Sequence, residues 1–422
     1  MSKKTLRRTD LKNYMKILFV NNFFSSYGGA EKLMLNQADL LARNGNEVVF
    51  FATDRQPFAI NSYPHAKFFT KFTDFKKLNK LDSIKVLPRI LYNTESEAKL
   101  TSLIAQTKPD IVHCHNIYYH LTPSVLSACK KAKIPVVMTL HDPRLMCPGG
   151  TMMLKSQSYC NNEYCVKGNP LYGLIYKCRN SSLKESLIST LEYSFNRACR
   201  HYDYVSLFIC PSRAVYNLAE KSGIRRNRLT MLNNFIDDHL FERPLTYAHK
   251  GYFLYVGRLA KEKGVHYLIE AAKFLPKNIG FHIVGSGPEE ENLRKKASPN
   301  IKFKGYLEGD KLRKEYSGCI ASILPCNWFE TFGLTIAESF AYGKPVIASR
   351  IGAIPELVTE NQDGLLFKPG NVEELSHMIY KLYKQKELAA LMGKNARQKA
   401  EKMFNSDLHY KNLIKVYISV LI

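Results

Sequence analysis

Several features that define other classes of protein are missing from this chain. Its 422 residues contain no apolar run close to the roughly 18 residues that a membrane-spanning helix needs. The basic amino-terminal stretch leads into a short strand-like run at residues 15–20 without a small-residue cleavage site. No zinc finger, helix-turn-helix or aromatic RNA-binding motif is present. These absences predict a cytoplasmic protein that does not bind nucleic acid.

Acidic residues are scarce compared with basic ones. The chain has 61 Lys and Arg but only 37 Asp and Glu, a formal net charge of +24. A field of this sign favours nucleic acid, acidic lipid head groups or diphosphate-bearing substrates. Because no nucleic-acid module is present, an anionic membrane surface is the better partner.

The length of the chain and the alternation of strand-like and helix-like segments indicate an α/β protein with two domains. A chain of 422 residues, 45% of them apolar, is long enough for two separate cores. Short apolar runs alternate with segments of helical periodicity before and after residue 243. Arg243-Pro244 and the polar stretch TYAHKG mark the predicted boundary between the two domains.

Two glutamates, Glu330 and Glu338, stand eight positions apart around an apolar run. If a helix begins just after Glu330, both carboxylates can point the same way. Phe332-Gly333-Leu334 then forms the first turn, whose free N–H groups favour an anion such as a diphosphate. An ionised Glu is an acceptor only and can hold two hydroxyls. The alternative is an amphipathic core helix with two solvated acids.

Histidines follow two predicted neighbouring strands. His113 and His115 alternate along the run at residues 109–115 and therefore share a face. An H-x-H pair can bind zinc, but no third ligand lies nearby in the sequence. His115, and His141 after the next strand, are predicted to reach the carboxyl edge of the sheet, where ligands collect in open α/β folds.

An irregular aromatic and basic segment follows the second strand. Phe68, Phe72 and Phe75 fall at i, i+4 and i+7. Lysines are interleaved with them at Lys67, Lys71, Lys76, Lys77 and Lys80. This pattern is typical of a helix lying on an anionic membrane surface. It also fits an insert that packs its Phe face on the amino-terminal domain and leaves its basic face in water.

Four of the ten cysteines are clustered after His141. Cys147, Cys160, Cys165 and Cys178 fall as C-x12-C-x4-C-x12-C within a loop rich in Gly, Asn and Tyr. Thiols that stay reduced, in a loop with little apolar content, predict a structural zinc site with four cysteine ligands. The outer cysteines lack a close partner, so unligated buried thiols are the alternative.

The sequence resembles family 4 of the retaining glycosyltransferases, whose GT-B fold consists of two Rossmann-like, doubly wound domains facing a central cleft. The resemblance rests first on NWFETFGLTIAESFAYGKPVIASRIG, which contains Glu330 and Glu338. Other stretches match in the family's order: SSYGGAEKLMLNQADLLARNGNEVVFFAT, PDIVHCHN, VVMTLHD, FICPSRAV, YVGRLAKEKGVHYLIEAA and DGLLFKPGN.

The resemblance implies roles for the residues at matching positions. The implied catalytic residues are His141 and Glu330, which meet the donor sugar, and Arg258 and Lys263, which meet the donor diphosphate. The implied donor-binding residues are Gly28, Gly29, Gly257, Gly285, Gly287, Tyr306, Leu307, Phe332, Gly333, Leu334 and Glu338. An acceptor-side domain of residues 1–243, joined by a last helix at 404–422, is expected to face a donor-binding domain of residues 244–403.

The implied reaction is a metal-independent, retaining transfer of a hexose-type sugar from a UDP- or GDP-sugar. The implied acceptor is a lipid-linked or polysaccharide glycan of a bacterial envelope, and the enzyme is expected at the inner face of the cell membrane. No Asp-x-Asp pair occurs, so Arg258, Lys263 and a helix amino terminus take the place of a catalytic metal. Two alternatives stay open: a sugar-nucleotide epimerase of the same fold, and an inactive protein that docks on membrane or nucleic acid.

Overall fold

The computed structural model describes residues 14–25, 28–55, 63–74, 80–155, 159–161, 163–242, 245 and 249–422, without the side chains of residues 80–85. Two parallel six-stranded sheets organise these residues. Each sheet is covered by helices, so its strands are buried on both faces and consist of nearly continuous apolar runs such as KILFV.

The first sheet has the strand order β2-β1-β3-β4-β5-β6. Its strands are β1 Lys16–Val20, β2 Glu47–Phe51, β3 Ile111–Cys114, β4 Val136–Thr139, β5 Leu207–Cys210 and β6 Leu229–Met231. Its helices are α1 Gly29–Arg43, α2 Lys80–Leu91, α3 Thr94–Thr107, α4 Ser124–Ala132, α5 Leu171–Ile175, α6 Leu183–Ala198 and α7 Arg213–Lys221. Side-chain oxygens of Asn93, Ser182 and Ser212 cap the starts of α3, α6 and α7 and so fix where these helices begin.

The second sheet has the order β12-β11-β10-β7-β8-β9. Its strands are β7 Tyr252–Val256, β8 Gly280–Val284, β9 Ile301–Gly305, β10 Cys319–Leu324, β11 Val346–Ser349 and β12 Gly364–Phe367. Its helices are α8 Val265–Lys273, α9 Glu290–Lys296, α10 Gly309–Gly318, α11 Leu334–Ala341, α12 Ile354–Leu357, α13 Val372–Lys384 and α14 Lys386–Met403. We call these elements the second unit, and β1–β6 with their helices the first unit.

The last helix, α15 Ser406–Leu421, returns to the first unit. Its Leu413, Val416 and Tyr417 are buried in one core with residues of β1 and β3. The hydroxyl of Tyr417 lies 2.8 Å from Nδ1 of His113 on β3. The carboxyl-terminal end of the chain therefore completes the face of the first sheet.

Short 3-10 helices link these elements, at Ala66–Phe68, Pro143–Leu145, His201–Tyr204, Arg226–Arg228, Asp238–Leu240 and Lys261–Lys263. Within the described ranges, no helix is both long and apolar enough to cross a membrane.

The aromatic and basic segment is not the helix that its periodicity suggests. After the 3-10 helix Ala66–Phe68 the described chain is non-helical through residue 74, and Phe75, Lys76 and Lys77 lie outside the described residues. Phe69 is buried, and the Phe72 ring packs 4.8 Å from that of His120. Aromatic packing on the first sheet has overridden the helical spacing, so the prediction of an interfacial helix is wrong for residues 69–74.

Candidate active site

The carboxyl ends of the two sheets meet through the loop that precedes α11. This loop follows β10 and contains Trp328, Glu330 and Thr331. The Thr331 hydroxyl donates a 2.8 Å hydrogen bond to the backbone carbonyl of His141, which follows β4. The structure thus brings His141 and Glu330, two of the predicted site residues, to the same junction.

Glu330 is held by two donors from the second unit. Its Oε2 accepts from Lys263 Nζ at 3.0 Å and from Trp328 Nε1 at 3.1 Å, and only 7% of the residue is exposed. The Lys263 ammonium also lies 4.3 Å from the centre of the Trp328 ring. Because both donors use Oε2, Oε1 of Glu330 is the atom that can accept from a ligand hydroxyl.

The two glutamates do not share a helix as the spacing suggests. Helix α11 begins at Leu334, so Glu330 lies in the preceding loop and Glu338 lies on the helix. Gly333, at φ +100°, is the N-cap, and this left-handed backbone delays the helix start. No side chain caps α11, and its first N–H groups are therefore available to an anion. The predicted first turn at Phe332 to Leu334 starts two residues before the observed helix, and its contact with a diphosphate stays a prediction.

Glu338 connects the second unit to the first. Its Oε2 accepts from the Tyr316 hydroxyl at 3.2 Å, and its Oε1 lies 3.5 Å from Lys32 Nζ on α1. The start of α1, at Gly28 and Gly29, faces the start of α11, since a Cβ added to Gly29 would lie 3.6 Å from Leu334 Cδ1. The glycine pair therefore borders the same opening as Glu338.

Arg258 is not gathered with Lys263 and Glu330. Its side chain is 64% exposed and pairs with Glu262. The neighbouring glycines are explained by backbone packing: a Cβ on Gly285 would collide with the Gly257 carbonyl oxygen, and one on Gly287 with that of Leu259. The loops after β7 and β8 thus lie side by side.

Tyr306 and Leu307 directly follow β9, at the same edge of the second sheet. The Tyr306 ring is mostly exposed, and its hydroxyl donates to Glu308 Oε2 at 3.1 Å. Leu307 packs against a small core cluster beside β7 and β8. Both residues therefore border the loops that contain Gly257 and Gly285.

Of the three histidines, His113 and His115 are buried and His141 is partly exposed. His113 is fully buried, with 2.8 Å contacts to Tyr417 and Thr139, and is satisfied within the core. His115 Nδ1 lies 2.7 Å from His141 Nε2. Burial lowers the pKa of His141 to about 4, so the ring is neutral near pH 7. A neutral His141 offers its remaining ring nitrogen to a ligand without adding charge.

A cavity of about 200 Å³ lies in the first unit and is lined by Asp142, the residue that follows His141. Two carboxylates, Glu31 and Asp142, line it, and burial raises the pKa of each. Glu31 is not among the predicted site residues, although it stands two positions after the glycine pair, in GGAEK. This cavity is large enough to hold part of a sugar beside the junction.

The four clustered cysteines line a single small cavity of about 20 Å³. All ten cysteines of the chain are free thiols. Among the residues described, no three or more His, Cys, Asp or Glu side chains are already arranged to hold a metal ion. Cys147, Cys160, Cys165 and Cys178 thus surround one space without meeting at a metal-binding point.

Comparison with known proteins gives matches to two family profiles. Residues 27–240 match the profile "Glycosyltransferase Family 4", and residues 237–399 match "Glycosyl transferases group 1". The chain is similar to sulfoquinovosyl transferase SQD2 of Arabidopsis thaliana, with 27% identity over 72% of this chain and 56% of that protein. It therefore spans little more than half the length of that relative.

Two solved structures share the fold over almost the whole chain. Anabaena HepE, solved in complex with UDP and glucose, superposes with a TM-score of 0.65, 20% identity, and coverage of 96% of this chain and 100% of that one. Sucrose-phosphate synthase of Thermosynechococcus elongatus gives a TM-score of 0.70, 17% identity, and coverage of 96% and 98%.

The chain belongs to family 4 of the glycosyltransferases, retaining enzymes with the GT-B fold. The family generally needs no metal ion for its reaction.

Proposed function

We propose that this enzyme transfers a hexose-type sugar from a UDP- or GDP-sugar to a lipid-linked or polysaccharide acceptor in bacterial envelope glycan synthesis. The observation that carries the proposal is the junction of Glu330, Lys263 and His141, which lies between the two sheets and is fastened by Thr331. The crystallised complex of Anabaena HepE with UDP and glucose supports UDP as the nucleotide.

In this proposal the protein itself neutralises the leaving diphosphate. Negative charge develops on the diphosphate as the bond to the sugar breaks. Lys263 already lies in the junction, and the uncapped start of α11 directs N–H groups to the same opening. Arg258 is exposed and paired with Glu262, so it reaches the diphosphate by exchanging that partner for a phosphate oxygen.

The carboxylates and the histidine orient the donor. Glu330 accepts hydrogen bonds from hydroxyls of the transferred sugar. Glu338 accepts from hydroxyls of the ribose, which replace its contact with Lys32 or Tyr316. Neutral His141 meets the sugar from the first unit. Gly257, Gly285 and Gly287 have no side chains, so the loops that contain them pack closely and leave space for the nucleotide. Tyr306 and Leu307 border the nucleoside.

In this proposal the two domains bind different substrates. Residues 1–243 with 404–422 bind the acceptor, and residues 244–403 bind the donor. The return of α15 to the first sheet supports this division. The net charge of +24 supports a peripheral position at the inner face of the cell membrane, where an acceptor linked to an anionic lipid is found.

A structural zinc ion, held by the four clustered cysteines, is also part of the proposal. Burial raises the pKa of the Cys147 thiol, and hydrogen bonds from the backbone N–H groups of Gly150, Met152 and Gly149 act in the opposite direction. Such N–H groups stabilise a thiolate. The four thiols line one small cavity, and one zinc ion can draw the thiolates together.

A panel of nucleotide sugars tests the main proposal. Each is screened for thermal stabilisation of the protein and for hydrolysis without an acceptor. We expect one UDP- or GDP-sugar to raise the melting temperature and to be hydrolysed slowly. Stabilisation by none of them would contradict the proposal, and release of an epimerised sugar would favour the epimerase alternative.

A further inference from the structure

A second and larger cavity, of about 490 Å³, lies in the first unit between α6 and the segment that follows α7. Its lining is rich in arginine: Arg144, Arg197, Arg200, Arg225 and Arg228. Only two acids, Glu192 and Asp203, face them. Burial raises the pKa of Glu192 to about 7, so near neutral pH its charge opposes the arginines only in part.

Arg144 and Tyr118 line both this cavity and the 200 Å³ cavity beside His141. Arg144 lies in the 3-10 helix Pro143–Leu145, three residues after His141. The two cavities are thus neighbours, and the Arg144 side chain stands between them. A ligand that entered the smaller cavity could extend past Arg144 into the larger one.

Most of the arginines are already used by the fold, but Arg144 is not. Arg197 donates to Tyr193 and to the Ser222 carbonyl, and Arg228 donates to two backbone carbonyls. The Arg144 guanidinium instead lies over aromatic rings, 4.5 Å from the centre of Tyr119. Its Nη1 is buried and has no hydrogen-bond partner among the residues described.

An unsatisfied guanidinium nitrogen is costly when it is buried, because its charge cannot be removed by deprotonation. The cost is offset if a ligand supplies the acceptor. A guanidinium presents several N–H groups in a planar fork that matches two oxygens of a phosphate. A phosphate or a carboxylate therefore fits Arg144, and a lipid-linked acceptor of the proposed function carries phosphate.

We propose that Arg144 binds a phosphate or diphosphate group of the acceptor, and that the 490 Å³ cavity receives the part of the acceptor next to that phosphate. The reacting hydroxyl then lies in the 200 Å³ cavity beside His141. This inference rests on the proposed function, since it assigns the ligand as an acceptor. It specifies an anionic acceptor, where the family alone leaves the acceptor's charge open.

Titration with inorganic pyrophosphate tests the site directly. The protein is first saturated with UDP, so that pyrophosphate cannot occupy the donor site, and binding is measured by calorimetry. We expect Arg144→Gln to weaken binding at least 10-fold, and Arg144→Lys to weaken it less. Arg313→Gln, on an arginine paired with Asp310 in the second unit, is the matched control and leaves binding unchanged. Equal affinity in wild type and Arg144→Gln overturns the inference, as does a lack of binding.

A second variant tests the site if Arg144→Gln fails to fold. Arg225 lines the same cavity and is exposed, so its replacement leaves the core intact. We expect Arg225→Gln to weaken pyrophosphate binding about 3-fold through the loss of one nearby charge. An unchanged affinity in this variant, together with a misfolded Arg144→Gln, counts against the site.

Two further probes distinguish the sources of the phosphate. Vesicles containing a polyprenyl phosphate represent a lipid-linked acceptor, and glucose 1-phosphate represents a soluble phosphorylated sugar. Binding of either probe that is lost in Arg144→Gln supports the inference, and undiminished binding overturns it. Nucleotide-sugar hydrolysis without an acceptor is expected to persist in Arg144→Gln. Failure of the proposed function is seen instead in wild type, as an inability to bind or hydrolyse any nucleotide sugar.

Discussion

Thr331 and His141 are joined across the two sheets by a single hydrogen bond, from the threonine hydroxyl to the histidine carbonyl, of 2.8 Å. Thr331 directly follows Glu330 and is itself buried. The bond therefore sets the position of the loop that presents Glu330 relative to the residue that presents the imidazole. With the Lys32–Glu338 pair, this bond helps to hold the two halves of the junction in register.

The first prediction concerns this bond. Thr331→Val keeps the shape but removes the donor, at a cost of about 1 kcal/mol. We expect kcat to fall about 5- to 10-fold, with little change in the affinity for the nucleotide. Thr331→Ser, which keeps the hydroxyl, should recover most of the rate. Equal kcat in Thr331→Val and wild type would show that the bond does not position the site.

The second prediction concerns the carboxylate of Glu330. Glu330→Gln keeps the size but weakens the contact with Lys263 and the hold on sugar hydroxyls, so kcat should fall by about two to three orders of magnitude. Trp328, the only tryptophan, bonds to Glu330 and reports nucleotide binding by its fluorescence. Glu360→Gln, at a surface pair with Arg350, is the control and should retain full activity.

The third prediction concerns charge on the diphosphate. Arg258→Ala should lower kcat/KM about 100-fold, because a cation is lost where negative charge develops. Activity of the wild type at saturating donor should survive brief treatment with EDTA. A strict requirement for added Mg²⁺ or Mn²⁺, or a fully active Arg258→Ala, would show that the diphosphate is neutralised in another way.

The fourth prediction concerns Glu192, whose pKa burial raises from 4.5 to about 7, while Arg144, Asn196 and Arg179 act in the opposite direction. The folded protein keeps a proton that the unfolded chain releases, so this group lowers stability as pH rises from 4.5 to 7. Glu192→Gln cannot ionise. It should match wild type below pH 4.5 and exceed it by on the order of 3 kcal/mol at pH 8.

Melting curves across this pH range provide the measurement for Glu192. Glu185→Gln, on the exposed face of the same helix, controls for the removal of one carboxylate from α6. If Glu192→Gln and wild type lose stability in parallel between pH 5 and 8, the raised pKa is wrong.

The fifth prediction concerns the clustered cysteines. Protein purified without added metal should contain close to one zinc per chain, measured by elemental analysis. Cys160→Ser and Cys165→Ser should each lose the metal and melt at a lower temperature. Cys199→Ser, at an exposed cysteine outside the cluster, should keep it. Metal-free wild-type protein of normal stability would show that the four thiols are unligated and that the zinc prediction is wrong.

Much of the fold could be predicted because local signals suffice for it. Buried parallel strands are short apolar runs, and β1 and β7 stand out as such. The start of α11 could not be placed, because the left-handed backbone at Gly333 decides it and the glycine is compatible with either start. The spacing of the phenylalanines predicted a helix wrongly, because Phe69 rather than Phe68 is the buried residue.

The site was predictable only as a set of residue types. The positions of Glu330, Lys263 and His141 could be taken from motifs, but the bond through Thr331 joins residues 190 positions apart. No local pattern reports such a contact. The same holds for Lys32, which pairs with Glu338 from the other unit, and for Arg144, whose significance depends on two cavities that exist only in the folded protein.

The return of α15 to the first sheet has a consequence for the order of folding. Ribosomes synthesise α15 long after β1, yet Leu413 and Tyr417 share a core with Ile17 and Phe19. At the usual rate of synthesis, the face that α15 covers waits on the order of ten seconds or more for its partner. During that interval the emerging chain displays an apolar surface of the kind that chaperones bind, and removal of α15 would make that exposure permanent.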